Sequence, residues 1–154
     1  MAFEASHRVK LPEPYRTFVV SVANGAIGPP HYGLVGFGEP AWEGAGQRLT
    51  AESLQRPFPL TVAWLWDGNE DDSDEDVLTR IEEVHRAGTL PLGTDGDGMD
   101  YALIVTGASR GEVWMLSGEF ALPVARDFGD WIRRKYLPDA KWLLDNRPVV
   151  PEMC

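Results

Sequence analysis

The chain has 154 residues, of which 44% are hydrophobic and 25% charged, values typical of a single globular domain. Its six Trp, six Phe and four Tyr need a core to bury them, which excludes a disordered chain. The formal net charge of −10 disfavours direct binding to nucleic acid or to an anionic membrane, because phosphate groups repel such a surface.

The sequence predicts a cytoplasmic protein. The N-terminal residues contain no apolar stretch of the kind that directs secretion, and the longest apolar runs, VAWLW and YALIV, are too short to cross a membrane. The single cysteine, Cys154, cannot form an internal disulfide, which fits a reducing compartment. We therefore expect neither a membrane-spanning segment nor a disulfide.

Acidic residues are concentrated in the middle of the chain. Residues 57–100 hold twelve acidic and two basic side chains, which accounts for the whole net charge of −10. Residues 1–56 and residues 101–154 each sum to zero. An acidic block of this kind repels phosphate groups and attracts a basic partner.

The first predicted element is a helix that begins near Pro14 and ends at Asn24-Gly25. Proline suits the first turn of a helix, and an Asn-Gly pair can adopt the left-handed conformation that closes one. The apolar side chains at helical spacing between them are Tyr15, Phe18, Val19 and Val22. Beyond this helix Gly and Pro dominate, with a short strand predicted at 32–37 and one helical turn at 51–55.

Residues 60–68, LTVAWLWDG, predict a strand, because β-branched and aromatic residues fill the segment and an Asp-Gly pair ends it. Alternation along a strand places Trp64 and Trp66 on one face. Leu65 then belongs to the opposite face.

An acidic helix is predicted from Ser73, a suitable N-cap, to Gly88. Carboxylates in its first turn complement the helix dipole. Its buried stripe is expected to consist of Val77, Ile81 and Val84. Its outer face carries the i, i+4 pairs Asp76–Arg80 and Glu82–Arg86, each worth about 0.3 kcal/mol.

Three strands are predicted at 89–92, 101–105 and 112–116, and the tight TGASRG connection makes the last two an antiparallel hairpin. The segment YALIV is apolar on both faces, as in a central strand that is covered on both sides. The last predicted element, DFGDWIRRKYL, is a helix with acidic residues at its start and basic residues at its end. Its inner face would consist of Phe128, Trp131, Ile132 and Tyr136.

The stretch LPLGTDGDGMDYALIV brings Asp95, Asp97 and Asp100 together with three glycines, which are the components of a metal or phosphate site. An EF-hand loop starting at Asp95 would place Met99, Asp100 and Thr106 where it needs a ligand, a glycine and a glutamate. A phosphate cradle requires a helix after the glycines, whereas a strand follows here. Since Gly and Asp tolerate positive φ, the stretch predicts a sharp turn between two strands and no metal site.

The sequence singles out no catalytic site and no cofactor site. The three histidines, His7, His31 and His85, are scattered, and no G-x-S-x-G motif is present. Cys154 has no neighbouring base that would activate it as a nucleophile. We therefore expect a protein that is not an enzyme and that has no cofactor.

Three segments, in this order, resemble the SUKH superfamily: LPEPYRTFVVSVANGAIGP, GTLPLGTDGDGMDYALIVTGASRGEVWML and FGDWIRRKYL. This superfamily includes the fungal Smi/Knr cell-wall synthesis regulators and many bacterial immunity proteins. The residues that match its shared pattern are of the types found in turns and cores, so we interpret them as fold-determining. They are Leu11, Pro12, Tyr15, Phe18, Asn24, Gly25, Gly93, Gly98, Gly111, Val113, Trp114, Phe128 and Trp131.

The resemblance implies a single α+β domain over residues 1–154, in which helices pack against a curved, largely antiparallel sheet. The segment around 38–80 matches the superfamily poorly, and we expect it to be the variable acidic part. The resemblance also implies a non-catalytic protein without a cofactor. Bacterial members typically bind and neutralise a cognate toxin, often a nuclease.

The acidic block and the tryptophans next to it indicate where a protein partner would bind. Carboxylates would steer association with a basic toxin domain, and the aromatic side chains would provide a desolvated contact. The candidate contacts are Trp64, Trp66, Asp67, Glu70, Asp71, Asp72 and Asp74. Two alternatives stay open: the tryptophans belong to the core, or the chain is a regulatory scaffold that binds a housekeeping partner.

Overall fold

The computed structural model describes residues 2–21, 50–65, 74–96 and 98–138, so the strand predicted at 32–37 lies outside the described residues. The helices in these ranges are α1 (Ala2–His7), α2 (Tyr15–Ser21), α3 (Ala51–Gln55), α4 (Asp74–Arg86) and α5 (Phe128–Trp131), which continues as a π-helix over Ile132–Tyr136. The strands are β1 (Trp64–Leu65), β2 (Thr89–Gly96), β3 (Met99–Ile104), β4 (Val113–Leu116) and β5 (Phe120–Ala125). These elements form an α+β fold, as the sequence predicted.

The strands form one antiparallel sheet in the order β1-β5-β4-β3-β2. The strands β2, β3, β4 and β5 lie side by side in the sheet in the same order as in the sequence. Short turns therefore connect each strand to the next. β1 pairs with the edge of β5 that faces away from β4, and Leu65 lies opposite Phe120 in this pairing. The hairpin predicted between 101–105 and 112–116 is confirmed as the pairing of β3 with β4.

β5 is a strand that the sequence did not predict. Its sequence, FALPVA, contains Pro123, and proline argues against a strand interior because it has no backbone N–H to donate. In the structure Pro123 lies opposite Trp114, beside a shift in register between Val113 and Trp114. This irregularity in the ladder accommodates the proline.

β3 separates two hydrophobic clusters, as its apolar sequence predicted. Tyr101 and Leu103 belong to the first cluster, and Ala102 and Ile104 belong to the second. The other buried members of the first cluster are Leu11, Tyr15, Leu54, Leu90, Leu92, Val105, Val113, Ala125, Phe128 and Trp131. Those of the second cluster are Phe58, Leu60, Val84, Trp114, Leu116 and Ala121. Both clusters include residues from helices, so both faces of the central strand are covered.

The residues of the SUKH-like pattern lie mostly in this core. Its buried members are Leu11, Pro12, Tyr15, Gly93, Val113, Trp114, Phe128 and Trp131. The rings of Tyr15 and Phe18 contact the ring of Phe128, with centroids 4.9 and 5.0 Å apart. These contacts hold α2 against the closing helix, while Asn24 and Gly25 lie outside the described residues.

Four glycines with positive φ lie in connections between the described elements: Gly88, Gly98, Gly107 and Gly111. Gly98 (φ 75°) lies between β2 and β3, which confirms a turn between strands, but the turn is shorter than predicted because Gly93, Asp95 and Gly96 belong to β2 and Asp100 belongs to β3. Gly111 (φ 94°) lies in the β3–β4 connection. Gly88 (φ 65°) follows α4, and a Cβ there would lie 2.6 Å from the carbonyl oxygen of Thr106. No side chain fits this gap, so glycine ends α4 where the sequence predicted.

α1 is a helix that the sequence did not predict, since the first predicted element begins near Pro14. Six residues are too few for a stable isolated helix, so its contacts must hold it. The Glu4 carboxylate accepts hydrogen bonds from the Leu11 backbone N–H and from Arg16 Nε, both at 3.0 Å. Phe3 stacks on His7 with ring centroids 4.0 Å apart and packs against the first cluster.

Two predicted elements take a different form in the structure. Of the strand expected over 60–68, the described residues 60–65 contain β1 at Trp64–Leu65, and residues 66–68 lie outside the described residues. The closing helix begins as expected at Asp127, whose side chain accepts a hydrogen bond from the Asp130 N–H at 2.8 Å. After Trp131 the backbone continues as a π-helix, which apolar periodicity does not reveal. The helical turn expected at 51–55 is confirmed as α3.

α4 confirms the predicted acidic helix. Val84 is buried in the second cluster and Ile81 is half-buried, whereas the side chain of Val77 lies outside the described part of the chain. The predicted ion pair between Glu82 and Arg86 is present, with a nitrogen-to-oxygen distance of 2.7 Å. Of the predicted stripe, Val84 is therefore confirmed as buried and Ile81 as partly buried.

Candidate protein-binding surface

The antiparallel sheet brings several acidic segments to one of its ends. The β2–β3 turn and the β4–β5 turn both lie there, because successive strands run in opposite directions. β1 also ends there, since Leu65 pairs with Phe120, the first residue of β5. We call this the acidic end, and its described acidic side chains are Asp95, Asp100 and Glu119. The chain leaves β1 at this end and continues into residues 66–73, four of which are acidic.

Among the residues predicted to contact a partner, Trp64 is the one whose side chain the structure describes. Trp64 is half-buried, pairs with Ala121 and packs against the second cluster, so it lies on a core side of the sheet. Asp74 is the first residue of α4, and its side chain lies outside the described part. The other candidates lie outside the described residues: Trp66, Asp67, Glu70, Asp71 and Asp72.

Leu65 is an exposed apolar residue that the prediction of contacts did not include. It is 70% exposed, because the alternation of β1 turns it away from the second cluster. On the same face lie Phe120, which is half-buried, and Leu122, which is exposed. Alternation in the sequence had already placed Leu65 opposite Trp64. Only the structure shows which of the two faces is covered.

The Asp95 carboxylate joins the β2–β3 turn to the closing helix. Its Oδ2 accepts a hydrogen bond from the Tyr101 hydroxyl at 2.7 Å. Lys135 Nζ, from the π-helix, lies 3.4 Å from the same oxygen. Through these contacts Asp95 stabilises the acidic end of the fold, and the ammonium group of Lys135 partly neutralises its charge.

Asp100 lies half-buried at the start of β3, opposite Thr94 in β2 and Leu116 in β4. Its Oδ1 has no hydrogen-bond partner among the described residues. Burial raises the pKa of this carboxyl, and smaller opposing effects come from a Thr94 hydrogen bond and from the charge of His85. Asp100 is therefore a partly desolvated carboxyl group in the acidic end.

The described ranges contain no group of three or more His, Cys, Asp or Glu side chains that could hold a metal ion. His7 stacks on Phe3 in α1, while Nδ1 of His85 lies 2.8 Å from the carbonyl oxygen of Ile81 in α4. These two histidines thus lie on separate helices. Within the described part of the chain, no helix has the length and apolar character needed to span a membrane.

The opposite end of the sheet carries exposed basic side chains. Arg110, in the β3–β4 connection, donates a hydrogen bond from Nη2 to the carbonyl oxygen of Lys10 at 2.7 Å. Arg56 lies nearby, because its neighbour Gln55 donates a hydrogen bond from Nε2 to the carbonyl oxygen of His7 at 3.1 Å. The β3–β4 connection also carries Glu112, so this end of the sheet holds charges of both signs.

Comparison with curated proteins gave no significant match, and comparison with solved structures gave none either. A family model does match the chain over residues 1–134. The match begins before α1, includes all five strands and ends within the π-helix. It covers most of the sequence, and the chain therefore belongs to the SMI1 / KNR4 family (SUKH-1).

Proposed function

We propose that this chain is a non-catalytic, cytoplasmic immunity protein that binds and neutralises a basic toxin through its acidic end. The family is known for immunity proteins in toxin systems, and it also includes cell-wall-related members. The observation that supports the proposal is that β1, which precedes the acidic run 66–73 in the sequence, ends at the same end of the sheet as the β2–β3 turn with Asp95 and Asp100. A nuclease is a suitable class of toxin, because a surface that holds nucleic acid is basic.

Electrostatic attraction would act mainly on the rate of association. Clustered charges of one sign raise the encounter rate with an oppositely charged partner, and salt at about 0.15 M screens exposed charges beyond roughly 8 Å. We therefore expect an encounter whose rate and affinity fall as the salt concentration rises.

The immunity protein would neutralise the toxin by occupying the toxin's basic surface. Carboxylates that cover the basic groove of a nuclease compete with the phosphates of its substrate. Glu119 is exposed in the β4–β5 turn and is available for such contacts. This mechanism requires no catalytic residue and no cofactor in the immunity protein.

The first test is affinity capture from a lysate of the source cells, at low and at high salt, followed by mass spectrometry. We expect a basic, toxin-like enzyme that high salt releases. A salt-resistant housekeeping protein, captured from cells that lack a toxin gene, would contradict the immunity role. That result would favour a regulatory scaffold instead.

Charge reversal then tests the surface itself. The test variant changes Glu70, Asp71, Asp72 and Asp74 together to Lys. The control variant changes to Lys four exposed residues outside the acidic end: Glu13, Glu52, Glu82 and Glu83. Both variants shift the net charge equally, so we expect only the test variant to lose affinity for the captured toxin and its salt dependence. Equal affinity of the two variants would show that the acidic end is not the interface.

A further inference from the structure

One carboxylate of the acidic end already holds a cation that belongs to the same chain. Lys135 Nζ lies 3.4 Å from Asp95 Oδ2. Asp95 is near the end of β2, whereas Lys135 belongs to the π-helix Ile132–Tyr136. The ammonium group of Lys135 therefore occupies the position at Asp95 that a cation of a binding partner would otherwise take.

The Asp95 carboxylate has a second contact, which holds it in place independently of Lys135. The Tyr101 hydroxyl donates a hydrogen bond to the same oxygen at 2.7 Å. Tyr101 is buried, and its ring packs against that of Trp131, with centroids 5.3 Å apart. A carboxylate oriented by a buried hydroxyl keeps its position when the cation beside it leaves. Asp95 is thus a pre-oriented acceptor for an ammonium or guanidinium group.

The contact with Lys135 is the weaker of the two. Its 3.4 Å separation exceeds the roughly 2.7–2.9 Å of a charge-assisted hydrogen bond between these groups. The side chain of Lys135 is 33% exposed and that of Asp95 21%, so water reaches both groups and screens their attraction. The flexible lysine side chain can leave by rotation alone, without movement of the backbone. An external cation can therefore exchange with it.

The π-helix gives its basic residues different surroundings. Turns of this type are rare and occur frequently at functional sites. Arg134 Nε lies 3.0 Å from Oδ1 of Asp130, a buried carboxylate one turn earlier, so this cation is paired within the closing helix. Arg133 is exposed. Lys135 instead extends to the sheet, where it meets the acidic end.

We propose that Lys135 is an internal competitor at the acidic end: it pairs with Asp95 in the free protein, and a Lys or Arg of the basic partner displaces it on binding. This inference rests on the proposed function and specifies how access to that surface is regulated. A cationic ligand binds Asp95 only in the fraction of molecules in which Lys135 has left, which lowers its apparent affinity. For a partly exposed ion pair the reduction is about three- to fivefold.

A dye-labelled peptide of alternating Lys and Ser serves as the probe, and fluorescence anisotropy at low salt measures its affinity for the full chain. Lys135→Met and Arg133→Met are a matched pair, because each removes one positive charge from the same π-helix. We expect Lys135→Met to tighten binding about three- to fivefold, and Arg133→Met less than about twofold because it relieves only general repulsion. Equal gains in the two variants would overturn the proposal, since net charge alone would then explain them.

Asp95→Asn provides the second half of the test. Asparagine keeps an oxygen that can accept from the Tyr101 hydroxyl, but it carries no charge to hold Lys135. In this background we expect Lys135→Met to tighten binding no more than Arg133→Met does. A gain of about three- to fivefold that persists without the Asp95 charge would refute competition at this carboxylate. Circular dichroism checks that each variant is folded.

Nuclear magnetic resonance of isotope-labelled lysine side chains observes the displacement itself. When the peptide saturates the unaltered chain, the signals of Lys135 should move towards those of a lysine free in solution. Lys10, exposed in the α1–α2 connection, is the internal control and should not change. Unchanged Lys135 signals at saturation would contradict displacement.

The outcomes separate this inference from the proposed function. Peptide binding that high salt abolishes, with equal affinity in Lys135→Met and Arg133→Met, would leave the acidic end standing and refute the role of Lys135. A peptide that binds neither the unaltered chain nor Lys135→Met would refute both, because the acidic end would then not attract cations.

Discussion

Tyr101 and Asp95 lie six positions apart in the sequence and meet across the β2–β3 hairpin, where the Tyr101 hydroxyl donates a hydrogen bond to Asp95 Oδ2 at 2.7 Å. Lys135 Nζ lies 3.4 Å from the same oxygen. One carboxylate of the acidic end thus connects the sheet to the helix that closes the fold. The turn is held in place by a polar contact as well as by its glycines.

Tyr101→Phe should lower the free energy of unfolding by about 1–2 kcal/mol, because a hydrogen bond from a buried hydroxyl to a carboxylate is lost. Urea denaturation measures this change. Asp95→Asn and the double variant complete a thermodynamic cycle. Strictly additive effects of the two changes would contradict an energetic coupling between these side chains.

Gly88→Ala should destabilise the fold by about 2 kcal/mol or more, because its φ is positive and the new Cβ would lie 2.6 Å from the Thr106 carbonyl oxygen. Gly118→Ala is the matched control, since nothing lies within 4 Å of a Cβ at that position. Thermal unfolding of both variants gives the comparison. Similar melting temperatures would show that the space at Gly88 is not limiting.

Trp114→Phe should cost about 2–4 kcal/mol of stability, because the indole is fully buried and fills the second cluster. The change also removes a hydrogen bond from Nε1 to Glu112 Oε2 at 2.8 Å. Trp64→Phe should cost less than about 1 kcal/mol, since Trp64 is only half-buried. Guanidinium denaturation ranks the two variants, and the reverse order would contradict this account of the core.

Glu4 and Asp100 should make the free energy of unfolding depend on pH in opposite directions. A hydrogen bond from Arg16 and a second from the Leu11 N–H lower the pKa of Glu4. The stability that Glu4 contributes is complete above about pH 4.3 and is lost as pH falls through its lower folded-state pKa. Burial raises the pKa of Asp100. Its contribution is therefore most favourable below about pH 3.9 and is lost as pH rises through the raised folded-state pKa.

Glu4→Gln and Asp100→Asn test these signs. Glu4→Gln should lower stability near neutral pH and weaken its loss in acid. Asp100→Asn should raise stability near neutral pH, by less than about 1 kcal/mol because the side chain is partly exposed, and should have little effect in acid. Urea midpoints measured from about pH 3 to about pH 8 provide both curves. Curves that run parallel to that of the unaltered protein would contradict both assignments.

Elements with strong local patterns were predicted correctly. The spacing of Tyr15, Phe18 and Val19 indicated α2, and apolar residues on both faces of 101–105 indicated a central strand. The β2–β3 turn followed from the backbone freedom of glycine at Gly98. Such features depend on residues a few positions apart, which a sequence displays directly.

Elements that depend on distant contacts were missed. α1 is held by the contacts of Glu4 with Leu11 and Arg16, which lie beyond the helix in the chain. β5 contains Pro123, which a ladder irregularity accommodates. The π-helix carries the same apolar pattern as an α-helix in so short a segment. For α1 and β5 the deciding partners lie outside the element, where its own residue spacing does not display them.

The sequence by itself determined the central strand and the concentration of negative charge in the middle of the chain, because these depend on composition and on short-range spacing, and its resemblance to the SUKH superfamily implied the fold class. Only the tertiary structure decided that β1 and the β2–β3 turn reach the same end of the sheet, that Trp64 packs against the core and that Leu65 stays exposed. The pairing of β1 with β5 and the placement of the helices over β3 produce this result. The residues of a two-residue strand do not by themselves indicate which of its faces the rest of the fold will cover.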